Sequence, residues 1–125
     1  MADVDNVVAQ GESILTSIKK LLGIADEYTQ FDVDIILHIN SVFSILSQLG
    51  VGPEQGFAIQ DKSALWSDFL PASPTLNDVR TFVYLKVKLI FDPPTGSAVL
   101  TCYKELLAEL EFRINVEAES LKQSS

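Results

Sequence analysis

Few residues in this chain are of a type that could carry out covalent chemistry. The 125 residues include one cysteine, Cys102, and one histidine, His38, and nothing local links them as a nucleophile and its base. They are also too few for a zinc site, which takes about four nitrogen or sulfur ligands. We therefore predict no metal and no cofactor. We interpret Cys102 as a core or semi-buried residue and His38 as a surface or hydrogen-bonded one.

Motifs for phosphate binding and for acid–base catalysis are also missing from the sequence. Gly50, Gly52 and Gly56 are not followed by the Lys-Ser/Thr pair that a P-loop requires. The carboxylates mostly occupy predicted helix faces, and no pair is set apart by an apolar surrounding as a general acid and base would be. The sequence therefore predicts that the protein is not an enzyme.

The composition predicts one acidic, folded domain. Hydrophobic residues make up 47% of the chain, which argues against a disordered protein, and the net charge is −8 with nine Lys and Arg residues. So few cations argue against binding to a phosphate backbone. No apolar run reaches the roughly 18 residues of a transmembrane helix, and the first ten residues lack the features of a signal peptide. We expect no membrane partner and a protein kept in a cytoplasm.

Helical periodicity dominates the segments that could position these residues. Apolar residues recur at steps of three and four in residues 3–22, 32–49 and 97–119, and Gly23 and Gly50 follow the first two as stop residues. Residues 51–74 are irregular. Within them, residues 57–59 are compatible with a short strand or an extended arm, and residues 61–69 with a helical turn capped by Asp61. Trp66 and Phe69 are interpreted first as core residues.

Residues 77–90 fit two patterns. Val83, Leu85 and Val87 alternate with polar residues as in a half-buried strand, whereas the length of the segment and its caps, Asn77 or Thr75, favour a helix. The segment ends at the sequence Phe-Asp-Pro-Pro of residues 91–94, because proline cannot continue a helix. A last helix is then expected from Ser97, with Thr95 or Ser97 as its cap.

These patterns predict a mainly α fold. We expect a small bundle of four long helices, with an irregular, possibly short-stranded loop segment between the second and third helices. Residues 1–119 would form a single helical domain, and residues 120–125 a flexible C-terminal tail. The last helix would carry a strongly acidic outer face, and Glu109 would pair with Arg113 one turn later.

Two runs of sequence carry a resemblance to a known family. VYLKVKLIFDPPTGS at residues 83–97, with YKELLAELEFRINV at 103–116, resembles the C-terminal half of the head–tail connector, or head-completion, proteins of siphophages and their prophages. DIILHINSVFSILSQLGVGP at residues 34–53 and WSDFL at 66–70 are similar to the same family. The likeness covers residues 12–117. Phe112 stands where the family often has Trp, a mild departure.

The resemblance implies a structural role in the virion. Such proteins are small helical bundles that assemble as a ring, usually twelvefold. The ring docks beneath the portal protein, extends the DNA exit channel and offers a surface to the next tail-side protein. They have no enzymatic activity and no cofactor, and they do not bind DNA sequence-specifically. The protein would then lie at the head–tail interface of the virion and be present in the host cytoplasm during assembly.

Several residues are candidates for contacts with other subunits or with the portal, and of these Tyr84, Lys86 and Lys88 fall outside the predicted core stripe. Lys86 and Lys88 are candidates because they are cations in an acidic chain, and Phe91 because it stands at the proline corner. The whole candidate set is Trp66, Tyr84, Lys86, Lys88, Phe91, Glu109, Glu111 and Arg113. An alternative that the composition fits equally well is a small acidic adaptor or regulatory protein that binds another protein with its negative face.

Overall fold

The computed structural model describes residues 12–124, with side chains for residues 12–120, and it is mainly helical as predicted. The helices are α1 (Ile14–Leu21), α2 (Asp32–Gln48), α3 (Trp66–Phe69), α4 (Pro74–Phe91) and α5 (Ser97–Ser124). The part of the first predicted helix before residue 12 lies outside the described residues. Within the described range there is no strand, so residues 57–59 do not form one. An isolated bridge joins Ser13 to Leu65.

The ambiguous segment forms α4, which is a helix over its whole length. It begins three residues earlier than predicted, because Pro74 occupies its first turn and the Ser73 hydroxyl accepts a hydrogen bond from the Leu76 amide at 3.2 Å. Thr75 and Asn77 are therefore not its caps. Val83 and Leu85 are both buried although they lie on different faces. When a helix is covered on two sides, its buried residues can alternate with polar ones along the sequence as they do in a strand.

The helices pack in the order α1, α2, α4, α5, so that α4 lies between α2 and α5. Each of these four helices contributes one stripe of apolar side chains to a continuous core, as expected for a small bundle. The largest buried side chains include Trp66, Phe43, Phe82, Ile14, Ile18, Ile35, Ile39, Leu46 and Ile114. The irregular segment after α2 closes one end of this core through α3.

The long loop before α3 is fixed by side chains. The Asn40 amide donates to the Ile59 carbonyl at 2.9 Å and accepts from the Ile59 amide at 2.7 Å. Asp61 accepts from the Ser63 amide, whereas the helical turn itself begins at Trp66, where Asp68 accepts from the Leu65 amide. The predicted cap is thus a loop turn, and the helix is shorter than the predicted segment.

The last helix differs from its prediction in its end, its cap and its buried face. It continues to Ser124, past the predicted end at residue 119, and Gly96 rather than Thr95 or Ser97 precedes its first turn. Its buried stripe is narrow, because α4 is the neighbour on which it packs, so Leu106 is exposed. Cys102 is exposed on the same outer side, so its interpretation as a core or semi-buried residue was wrong. The mobility of residues 120–125 stays a prediction.

Candidate functional site

Trp66 belongs to the core and offers no surface to a partner. Its side chain has no exposed area, its Nε1 donates to the Ser17 hydroxyl at 2.8 Å, and the Arg80 guanidinium lies 5.6 Å from the centre of its ring. Its interpretation as a core residue is confirmed, and so is that of Phe69, which packs against Phe43. We therefore remove Trp66 from the contacts that we propose.

The two lysines of α4 have different surroundings. Lys88 forms an ion pair with Asp92 across the end of the helix, at 3.1 Å. The hydrogen bond from Lys88 to Asp92 raises the pKa of the lysine above its ordinary value. Lys86 lies over the Phe82 ring, 5.7 Å from its centre, and is in no ion pair among the described residues. The isolation that made both lysines candidates therefore holds for Lys86 and not for Lys88.

The corner after α4 is anchored within the chain. Phe91 is half-buried and meets the Phe31 ring edge-on, with 5.3 Å between ring centres. Phe31 stands directly before α2, so this contact ties the end of α4 to the start of α2. Tyr84, on α4, is also half-buried and lines a shallow depression with Leu21 of α1. Both aromatic residues keep part of their surface free for a further contact.

A groove runs between α4 and α5 and collects two of the predicted residues. Its volume is about 340 Å³. Phe82, Lys86 and Leu89 line it from α4, and Lys104, Leu107, Ala108 and Glu111 from α5. We call this set the α4–α5 groove. Two lysines and one glutamate leave it with one net positive charge above an apolar floor.

The other charged candidates lie on α5, away from the groove. The Arg113 guanidinium pairs with Asp78 of α4 at 3.4 Å, so it bridges the two helices rather than forming the predicted ion pair with Glu109. Glu109 is exposed on the outer side of α5, where Phe112 is 69% exposed and Val116 is also largely exposed. This outer side of α5 thus combines carboxylates with apolar surface.

A second apolar surface lies on α2, directed away from α4. Val33 is 78% exposed and Leu37 is 62% exposed, one helical turn apart, and the Asp34 carboxylate lies beside them. We call these three residues the α2 ridge. Two neighbouring exposed apolar side chains with a carboxylate beside them could form part of a contact with another protein.

Sequence reasoning found part of these surfaces. It named Lys86 and Glu111 but missed Lys104, although Lys104, Leu107, Ala108 and Glu111 recur at helical spacing on one face of α5. It also missed Val33. The signal for the α2 ridge was an i, i+4 apolar pair outside the core stripe, which can be recognised only when that stripe is already known. Of the predicted contact residues, the structure brings Lys86 and Glu111 together in the groove.

Comparison with known proteins adds one match. The sequence pattern of a family described as phage connector proteins matches residues 14–120. No curated protein and no solved structure matches the chain. Among the residues that the structure describes, no helix is long and apolar enough to cross a membrane. In the same part of the chain, no group of acidic, histidine or cysteine residues is suited to hold a metal ion.

Proposed function

The chain belongs to the phage connector protein family, and on this premise we propose that it is a head–tail connector that works as a ring of identical subunits. The family match is the observation that carries the proposal, because it extends from the first residue of α1 almost to the end of α5. The family points to a structural, non-enzymatic protein of the virion that interacts with other phage head and tail proteins.

In the proposed assembly, copies join side by side beneath the portal protein and extend the DNA exit channel. A closed ring requires each copy to present two different, complementary surfaces. The exposed apolar residues of α2 and the α4–α5 groove are on different sides of the molecule, which supports this arrangement. The resemblance of the sequence implies twelve copies, and we propose that number for the ring.

The proposed channel wall is acidic. With a net charge of −8, the chain has few cations that could displace the counterions of DNA, so DNA would slide through the ring without being held. The outer side of α5, with its carboxylates and Phe112, is our candidate contact for the portal protein. The next tail-side protein would dock on the opposite rim of the ring. Assembly would take place in the host cytoplasm.

Deletion of the gene in the phage or prophage that encodes the chain tests the function directly. A head–tail connector is required after DNA packaging, so we expect lysates to contain DNA-filled heads and separate tails, visible by electron microscopy. Expression of the chain from a plasmid should restore joined particles. Joined, infectious particles without the chain would overturn the proposal.

A binding experiment tests the portal as the partner. The purified chain and the portal protein of the same phage should comigrate in size-exclusion chromatography, and electron microscopy of the complex should show an added ring with twelvefold symmetry. A portal that elutes unchanged in the presence of excess chain would remove the portal from the proposal. A different symmetry would correct the copy number alone.

A further inference from the structure

We propose that the α2 ridge of one copy inserts into the α4–α5 groove of the next copy, and that this is the lateral contact of the ring. The inference rests on the proposed self-assembly and deepens it by naming the two surfaces. It begins from the groove, where two lysines converge on an apolar floor formed by Phe82, Leu89, Leu107 and Ala108.

The lysines of the groove lack acidic partners within the part of the chain that the structure describes. Lys86 and Lys104 are in no ion pair there, whereas the other described cations except Lys20 are paired with carboxylates. In a chain of net charge −8, the two lysines outnumber Glu111, the one carboxylate that lines the groove, and leave a local excess of positive charge. The fitting occupant is therefore a segment that carries a carboxylate next to apolar side chains.

The α2 ridge is such a segment. Val33 and Leu37 lie one turn apart and are mostly exposed, so together they form an apolar projection on the surface of α2. Asp34 is exposed beside them, in the position to face the lysines when the two apolar side chains cover the floor of the groove. The carboxylate of the ridge is thus opposite in charge to the two lysines of the groove.

The outer side of α5 is a poorer occupant, although it is also acidic and apolar. It lies on the same helix as one wall of the groove, so its insertion would bring α5 of two copies together. Those helices would then place the carboxylates of Glu105, Glu109 and Glu111 close to one another, and like charges across an interface are unfavourable. The α2 ridge lies on the other side of α4 and brings a single carboxylate, that of Asp34, to the groove.

The geometry is head-to-tail, because ridge and groove are different surfaces of one molecule. Such a contact leaves a free ridge at one end of a dimer and a free groove at the other, so that further copies add until the ring closes. A two-fold dimer in which each ridge entered the partner's groove would use the same contacts and stop at two copies, so the size of the oligomer distinguishes the two arrangements.

Charge reversal on each surface, followed by mixing, tests the contact in the full-length chain. We expect Lys104→Glu and Asp34→Lys each to weaken self-association by about 10-fold or more, measured by analytical ultracentrifugation up to millimolar concentration. An equimolar mixture of the two variants should associate like the wild type. In the mixture, each altered ridge meets an altered groove, and each normal ridge meets a normal groove.

Matched controls separate the contact from net charge and from folding. Lys20→Glu on α1 and Glu54→Lys in the loop after α2 reverse exposed charges outside both surfaces, and we expect both to associate normally. Leu37→Ser should weaken association, whereas Leu21→Ser, also at an exposed leucine, should not. Circular dichroism shows whether each variant is folded.

Three results would overturn the inference. Oligomers that are unaffected by Lys104→Glu and Asp34→Lys would remove this contact and leave the ring proposal standing. Failure of the mixture to recover, with both variants folded, would show that the two residues do not face each other. A wild-type chain that stays monomeric at millimolar concentration would also refute the contact, while the connector function would still be judged by the gene deletion.

Discussion

The buried lysine of α1 is the most constrained charged residue in the described chain. Lys19 is 1% exposed, and its ammonium group lies 2.8 Å from the Asp32 carboxylate and donates to the Asp26 carbonyl at 2.9 Å. Taking a charge out of water is costly unless its partners are well placed. The ion pair with Asp32 and the hydrogen bond to Asp26 therefore link α1 to the loop before α2, and removal of Lys19 leaves a partly buried carboxylate without its cation.

We expect Lys19→Met to destabilise the fold by about 2–3 kcal/mol, because it leaves the partly buried Asp32 carboxylate without its cation. Thermal or urea unfolding followed by circular dichroism measures the change. The next residue offers a matched control: Lys20 is exposed, so Lys20→Met should stay within about 0.5 kcal/mol of the wild type. Equal stability of the two variants would show that the buried ion pair contributes nothing.

Two glycines of the loop after α2 allow the cost of a steric overlap to be measured separately from the cost of a positive φ. Gly52 and Gly56 both have φ near +91°, but a Cβ at Gly52 would overlap the Phe69 ring, whereas a Cβ at Gly56 would meet open space. Gly56→Ala should cost about 1–2 kcal/mol from its left-handed conformation alone. Gly52→Ala should cost about 1–3 kcal/mol more, because the aromatic cluster must shift. The difference between their unfolding free energies is the quantity to measure.

At the level of elements, the loop before α3 depends on one side chain of α2. Asn40 is the only described side chain that binds both backbone groups of Ile59, so Asn40→Ala should leave them unpaired and cost about 1–2 kcal/mol. Hydrogen exchange of the Ile59 amide should become faster. Ser44→Ala, at an exposed position one turn later in α2, is the control and should leave both quantities unchanged.

The end of α5, our proposed contact for the portal protein, also contributes to folding. Ala118 is buried, and the Thr75 hydroxyl donates to the Glu117 carboxylate. Deletion of residues 116–125 should therefore cost about 1–2 kcal/mol, in addition to weakening the proposed contact with the portal. Deletion of residues 120–125 retains both contacts, and we expect its unfolding midpoint to match the wild type. Equal midpoints for the two truncations would show that the helix end is dispensable for stability.

The ends of a helix were predicted correctly where a single physical signal in the sequence determined them. Helical spacing and a following glycine defined the ends of α1 and α2, and Gly23 and Gly50 both have positive φ after those helices. The start of α4 was missed because a proline in the first turn with a serine before it was interpreted as loop sequence. Cys102 was misplaced because the sequence alone does not reveal that α5 packs mainly on α4.

The surfaces could be predicted only in part, for a similar reason. Lys86 and Glu111 were identified from charge, yet the groove that unites them with Lys104 exists only once α4 and α5 are packed. The ion pairs of Lys88 with Asp92 and of Arg113 with Asp78 removed two candidates from the set of free charges. A pairing between helices depends on their rotation about each other, which a single sequence does not specify.

At the scale of the whole molecule, the row α1, α2, α4, α5 leaves exposed apolar residues at both ends. Phe112, on the outer side of α5, is the largest of them, and its role can be separated from that of the groove. We expect Phe112→Ser to leave the unfolding midpoint unchanged and to weaken binding to the portal protein by about 10-fold. Leu21→Ser is the control for loss of an exposed apolar side chain. Unchanged portal binding would move the docking site away from this surface.

The exposed position of Cys102 has a practical consequence for counting subunits. The sequence contains one thiol, and the structure places it on the outer side of α5. A maleimide dye therefore attaches once per chain without disturbing the core. When a labelled assembly is bleached under a microscope, each chain gives one step in intensity, so the number of steps reports the number of chains in a single particle.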